Sequence, residues 1–407
     1  MGRSDSYQVT SKGEVKPLQD LIVSAGVRTA LFPSLLSFFC CGVTLVMVGA
    51  LETRIVKDLA LSHALAGLFQ SAYYAGSCLG VIIVGVTLRR LGTKALLIGF
   101  LISLAAGNAL CAVGQPHFLL CGRFLAGAGV SGGSIILSAS IVRSFPQRIT
   151  ALVNATQGSV VAGALVGLVL VRRADVFFGG WGGCFLILSV ACLGASIFQA
   201  ARPVRPVGKE EGTVTEAAGR MLRDRALLAT FGLLACYLFA EQGLTTFLPA
   251  FLEMERGFPA EKAPVLVSLY FLGPTLGRIT VSLVVTKVGE RAQIACTTLC
   301  GSLFLLSFLI LPMSLWSEGV ILLAGFALGP LVPAAFSFAV RRSGAGASAV
   351  FTFGTLVSLG GGIAAPALVG WLGDMMTLRA GLFASFLFPA GGLFAWLALS
   401  RAHPPSS

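Results

Sequence analysis

This chain is poor in charge. Only 11% of its 407 residues are Asp, Glu, Lys or Arg, where soluble domains carry about a quarter. With 56% hydrophobic residues and a mean hydropathy of +0.89, that scarcity excludes a soluble globular protein and points to an integral membrane protein. Histidine is nearly absent: His63, His117 and His403 are the 3 in the chain, all near expected loops or the tail. No nucleophile–base pair or phosphate-binding loop accompanies them, so catalysis is not expected. The 10 cysteines form no CxxC pair of metal type and read as small buried hydrophobes. Neither a metal nor a cofactor is expected. No basic patch with interleaved aromatics exists, which argues against a nucleic-acid partner. The first 28 residues lack the apolar core of a cleaved signal peptide, so the first span is expected to direct its own insertion.

What the sequence has in quantity is apolar runs of roughly 20 residues, the length that crosses about 30 Å of hydrocarbon as a helix. About twelve such runs lie near 29–51, 64–88, 95–114, 117–142, 149–171, 176–200, 227–252, 263–286, 292–312, 316–340, 345–371 and 378–400. Helices rather than a barrel follow from their length. The longest internal polar stretch, residues 202–225, sits between the sixth and the seventh. The expected organisation is a tail (1–28), a six-helix bundle (29–201), a central loop (202–226), a second six-helix bundle (227–400) and a short tail (401–407).

Lysine and arginine set the orientation, because positive charge is retained on the cytoplasmic side. One set of loops holds only Arg54, Lys57, Arg172, Arg173, Arg256, Lys262 and Arg379, and nearly all the other basic residues fall on the opposite side. Both termini are therefore expected in the cytoplasm, with the net charge of +12 acting mainly as a topology signal, helped by anionic headgroups.

An internal repeat is also present. Residues 73–94, YYAGSCLGVIIVGVTLRRLGTK, align without a gap on 270–291, YFLGPTLGRITVSLVVTKVGER. Tyr73 meets Tyr270, Gly76 meets Gly273, Gly80 meets Gly277, Arg90 meets Lys287 and Gly92 meets Gly289. One residue further out of step, Leu125–Gly127 falls on Leu323–Gly325. Span two thus repeats as span eight and span four as span ten, as in transporters built from duplicated units.

With its central basic loop, this pattern resembles the major facilitator superfamily across essentially the whole chain. The loop GVTLRRLGTK carries Gly85, Arg90, Gly92 and Lys94 at positions of that family's gate signature, with Arg89 where an acidic residue is usual and Thr93 replacing a basic one. GRFLAGAGVSGG, residues 122–133, is similar to the fourth-span signature, in which an arginine, here Arg123, precedes a glycine-rich helix. Arg123 is expected either to snorkel to the interface or to serve function. In the fifth span Ala164 stands where an antiporter-type signature has proline. A narrower likeness is to the fucose-proton symporters: Glu241 matches their seventh-span glutamate, and Asn154 and Gln157 a polar fifth-span pair. Gly132 and Val160 depart from that pattern, and Gly49 stands near where a first-span aspartate belongs. Glu52, one turn later, could substitute for it or be a solvated helix end.

Glu241 draws the most attention, because an ionised carboxylate inside an apolar span is costly and marks function. Arg278 on span eight is its expected partner, as a structural pair or as part of a site. A buried carboxylate can take and release a proton, and Tyr237, Gln242 and Thr245 stand near it to hold a solute. The resemblance implies a cavity lined by spans one, four, seven and ten, with alternating access around it. The expected protein is a monomer in the plasma (bacterial inner) membrane, surrounded by lipid. It would move a small organic solute, with proton-coupled symport the leading reading and efflux of amphipathic or lipid-like compounds the alternative.

Overall fold

The computed structural model describes residues 25–144, 149–172, 179–202, 204, 219, 221–259, 263–284, 289–312, 316–344 and 347–400. Twelve helical crossings fill these stretches. The first six are α1 (Ala25–Asp58), α2 (His63–Leu91), α3 (Thr93–Ala112), α4 (Pro116–Ser144), α5 (Ile149–Arg172) and α6 (Trp181–Ala200). Then come α7 (Arg225–Ala250, extended by a π turn, Phe251–Glu255), α8 (Ala263–Val284) and α9 (Glu290–Ile310). The last are α10 (in two pieces, Trp316–Leu328 and Leu331–Ser343), α11 (Ala347–Met375) and α12 (Leu378–Ser400). Ten of the crossings are long and apolar enough to span a membrane, and α5 and α8 contribute shorter apolar helices, Ala155–Val171 and Leu266–Val281. The protein is a multi-pass membrane protein.

Helix ends follow local chemistry. Ser62 caps α2 by accepting the Leu65 N–H, and Gly92 takes a left-handed φ of 76° that turns the chain from α2 into α3, a conformation open to glycine at little cost. Asp224 caps α7, accepting from Ala226 and Leu227, and also receives the Arg342 Nε–H at 2.7 Å from the end of α10. Burial pushes the Asp224 carboxyl up, but the Arg342 and backbone hydrogen bonds outweigh it and hold the group below its ordinary value. The break in α10 has a sequence cause. The Gly329 carbonyl would normally receive the N–H four residues on, which is Pro333, and proline has none.

Contacts among the first six helices recur among the last six. As α1 packs on α5, α2 on α4 and α3 on α6, so α7 packs on α11, α8 on α10 and α9 on α12. The glycines that permit this recur too. A Cβ on Gly76 or Gly80 would strike the carbonyls of Phe124 and Ala128, and one on Gly273 or Gly277 those of Leu322 and Phe326. Small residues allowing close backbone approach are the means by which helices associate in lipid.

The halves meet where α2 packs on α11, α5 on α8 and α1 on α7. The glycine contacts between halves lie from the middle toward the end remote from the chain termini: Gly49 on Thr245 and Thr246, Gly67 on Pro366, Gly362 on the Tyr74 ring and Gly370 on the His63 carbonyl. There every residue of α7 from Gln242 onward is buried, whereas Leu228, Gly232, Cys236 and Leu238, nearer the termini, are partly exposed. One end of the cleft is sealed.

Candidate functional site

Glu241 lies near the middle of the 31-residue helical stretch Arg225–Glu255, half-buried at the junction of the halves. The Arg278 guanidinium interacts with it electrostatically, and Tyr237, one turn before it on α7, stands against both charges. Among the described residues no direct salt bridge closes between carboxylate and guanidinium. Instead Arg278 Nε donates to the Gly329 carbonyl at 3.2 Å, the carbonyl freed by Pro333. The expected pair is therefore an open arrangement that leaves both charges with bonding capacity. Tyr270 of α8 and Tyr74 of α2 lie within electrostatic reach of Glu241, and the Tyr237 and Tyr270 hydroxyls are buried without a hydrogen-bond partner of good geometry.

Arg123 does not snorkel. It is fully buried, donating to the Thr44 carbonyl at 2.8 Å and to Gln70 Oε1 at 2.7 Å, with its guanidinium 4.5 Å over the Tyr73 ring. Asn108 extends this network by donating to Thr44 Oγ1. Among the described residues no carboxylate pairs with Arg123. Its field reaches Tyr74, which in turn faces Glu241, so a row of phenols joins the two charged groups. Four of the chain's 5 tyrosines stand in this row.

On the sealed side of Glu241 a small cavity is lined by Gly49, Gln70, Gln242, Thr245 and Thr246 together with apolar side chains. Thr245 Oγ1 donates back to the Glu241 carbonyl at 2.8 Å, while Thr246 Oγ1 is buried without a partner.

Other expected residues are not brought to this site. Gln157 is exposed on α5, and the side chains of Asn154 and Arg89 lie outside the described residues. Glu52 is neither at Glu241 nor a solvated helix end: it is fully buried beside His63 at 2.7 Å, at the sealed end. His63, the first residue of α2 and so beside a loop as expected, is also part-buried in a packed junction. Gly85 faces open space, and Arg90 and Lys94 are exposed with no ion pair among the described residues. Phe336 of α10 is buried and stacked on Phe351.

Sequence reasoning missed the tyrosines at positions 74 and 270, and Gln70, as parts of the site. The alignment that put Tyr73 over Tyr270 held one signal, since a tyrosine kept at equivalent depths of two apolar helices needs a polar destination.

Comparison with known proteins fixes the family. A model described as Major Facilitator Superfamily matches residues 34–365. The chain belongs to the major facilitator superfamily. Among characterised relatives, this major facilitator protein is 27% identical over 271 residues to a gentisate transporter of Corynebacterium glutamicum, the match covering 61% of this chain and 58% of that protein. It is 30% identical over 100 residues to a 2-nitroimidazole transporter of Escherichia coli, with 25% of each chain covered. The matches thus span less than two thirds of either relative.

Solved structures share the fold. A bacterial homolog of the human lysosomal transporter Spinster, inward-facing and unoccupied, gives a TM-score of 0.77 at 15% identity, covering 93% of this chain and 98% of that one. The nucleoside transporter NupG gives 0.74 at 16%, covering 92% and 100%. FucP in its outward conformation gives 0.62 at 18%, covering 91% and 99%.

Proposed function

We propose that this major facilitator protein moves a small organic anion across the membrane by alternating access, in symport with protons. The observation that carries the reading is Glu241, a half-buried carboxylate in mid-span that stands near Arg278 and Tyr237 without closing a salt bridge. A carboxylate so placed can exchange a proton as its surroundings change, and an arginine with donors left over can receive a solute carboxylate. Arg123 and Arg278 against the single Glu241 leave an excess of positive charge, which in a low-dielectric site attracts an anion. Tyrosine rings suit a flat solute. Two relatives are named for flat ones, gentisate, a hydroxylated benzoate, and 2-nitroimidazole. Aromatic acids are accordingly the solute class we propose.

The end bearing both termini is proposed to face the cytoplasm, from the lysine and arginine bias, in a bacterial inner membrane and with the protein a monomer performing no covalent chemistry. An efflux reading for lipid-like compounds draws on one feature, an apolar groove lined by Leu68, Ala72, Ala75, Leu120, Phe124 and Ile363. Reconstituted uptake of benzoates, hydroxybenzoates, nitroimidazoles and hexoses, with and without an imposed pH gradient, tests the choice. Gradient-driven accumulation of an aromatic acid supports symport. Gradient-driven expulsion of amphipathic dyes, with no acid uptake, contradicts it.

A further inference from the structure

The sealed end of the cleft holds titratable groups that the site at Glu241 does not use. Glu52 of α1 is fully buried, its Oε1 stands 2.7 Å from His63 Nδ1 of α2, and its Oε2 is buried without a partner. Both residues belong to the first half, but the second half faces them. Asp374, at the end of α11, accepts the N–H groups of His63 and Ala64, each at 2.8 Å. Phe247 of α7 sets its ring edge-on to the imidazole, centroids 6.2 Å apart. The π turn after α7 brings Glu253 against Thr53, Glu52 and Arg54, and Glu255 within electrostatic reach of His63. On the flank, Arg256 stands near Glu255 and Arg379, and the Arg379 N–H donates to Glu255.

We infer that Glu52 and His63 form a second proton-binding site, separate from Glu241, which keeps this end of the cleft closed while it holds its proton. With one proton shared between imidazole and carboxylate, the pair is neutral overall, whichever atom carries it. When that proton leaves for water, the pair becomes a buried unit negative charge facing Asp374, Glu253 and Glu255 across the junction of the halves, with Arg54 countering part of the Glu253 charge and Arg256 part of the Glu255 charge. Repulsion between close buried charges is only weakly screened, and opening the junction relieves it by admitting water. Imidazole is the side chain whose ordinary titration lies nearest neutral pH, and the Glu52 carboxylate 2.7 Å away is the group it shares its proton with. The reading rests on alternating access, but not on what Glu241 does.

Spin labels across the junction test it. Leu61→Cys, between α1 and α2, and Met376→Cys, between α11 and α12, are labelled in the full chain in lipid nanodiscs, with Cys78, Cys121, Cys236, Cys296 and Cys300 replaced by alanine. Electron–electron distances are measured at about pH 5 and about pH 8, on either side of the histidine range, with no solute added. The expected result is a several-fold larger long-distance population at the higher pH. Glu52→Gln, which cannot become negative, is expected to stay short at both. Glu253→Gln, removing a carboxylate from the opposing face, is expected to shrink the response. A wild-type distribution that ignores pH overturns the inference, as does a Glu52→Gln distribution that lengthens like the wild type. Should Glu52→Gln fail to insert, an undiminished response in Glu253→Gln decides against it. Because the labels report opening in the absence of solute, failure of proton-coupled transport would leave this result standing, and the reverse holds as well.

Discussion

Arg123 is the residue whose environment differs most from what its place in the sequence suggests. A position just inside an apolar span permits escape to the interface, yet the guanidinium turns inward to Thr44 and Gln70. Removing it leaves the buried Gln70 amide oxygen without its donor, which costs about 1–3 kcal/mol, and takes a second donor from the mid-helix Thr44 carbonyl. Arg123→Met is therefore expected to lower the thermal midpoint in detergent, and Arg123→Lys to lower it less, because an ammonium can still satisfy one acceptor. An unchanged midpoint for Arg123→Met would contradict the buried network. Asp224 gives a second test. Its folded-state pKa is depressed, so its contribution to stability is present above the ordinary carboxylate value, about 4, and disappears as pH falls through the lower folded value. The stability gap between wild type and Asp224→Asn is expected to be open at neutral pH and to close in acid; detergent melts across that range measure it.

Helices two, four, eight and ten show which part of the architecture could be read from the chain. Apolar runs pointed to about twelve crossings, because the bilayer sets a minimum length for a span; ten of the described helices meet it, and α5 and α8 hold shorter apolar helices. The repeat of span two in eight and of four in ten was legible, but that α2 packs on α4 and α8 on α10 was not; the structure shows it at Gly76, Gly80, Gly273 and Gly277, where close approach in lipid needs small residues. Gly80→Ala and Gly277→Ala are both expected to reduce folded yield, as the added methyl meets a carbonyl in each. Gly85→Ala, facing open space on α2, is expected to be neutral or to stabilise by about 0.5–1 kcal/mol through helix propensity. Fluorescence-detected size exclusion after heating ranks the three, and a Gly277→Ala variant as stable as Gly85→Ala would refute the packing account. The bend at Gly329 was written in Pro330 and Pro333, but its use was not: nothing in sequence spacing shows that Arg278 would fill the vacated carbonyl. Glu52 and His63 were likewise unreadable as a pair, because they meet across a turn between helices whose facing sides are set by the other half. Asp374 lies 311 residues from His63, a separation at which local pattern is silent.

For the molecule as a whole, two six-helix halves pressed together at one end leave Glu241, Arg278 and four tyrosines at their junction, and rocking the halves would expose that junction to either side in turn. Membership of the major facilitator superfamily and the fold agree with this picture, and the central claim is that Glu241 couples solute movement to protons. Glutamine has the size of protonated glutamate and cannot ionise, so Glu241→Gln should insert and fold while losing the coupling. The direct measurement is solute-driven proton movement in proteoliposomes, wild type beside Glu241→Gln at equal protein content, with an aromatic acid as the driving solute. Proton entry with the solute is expected for wild type and none for Glu241→Gln. Equal proton movement in both would contradict it.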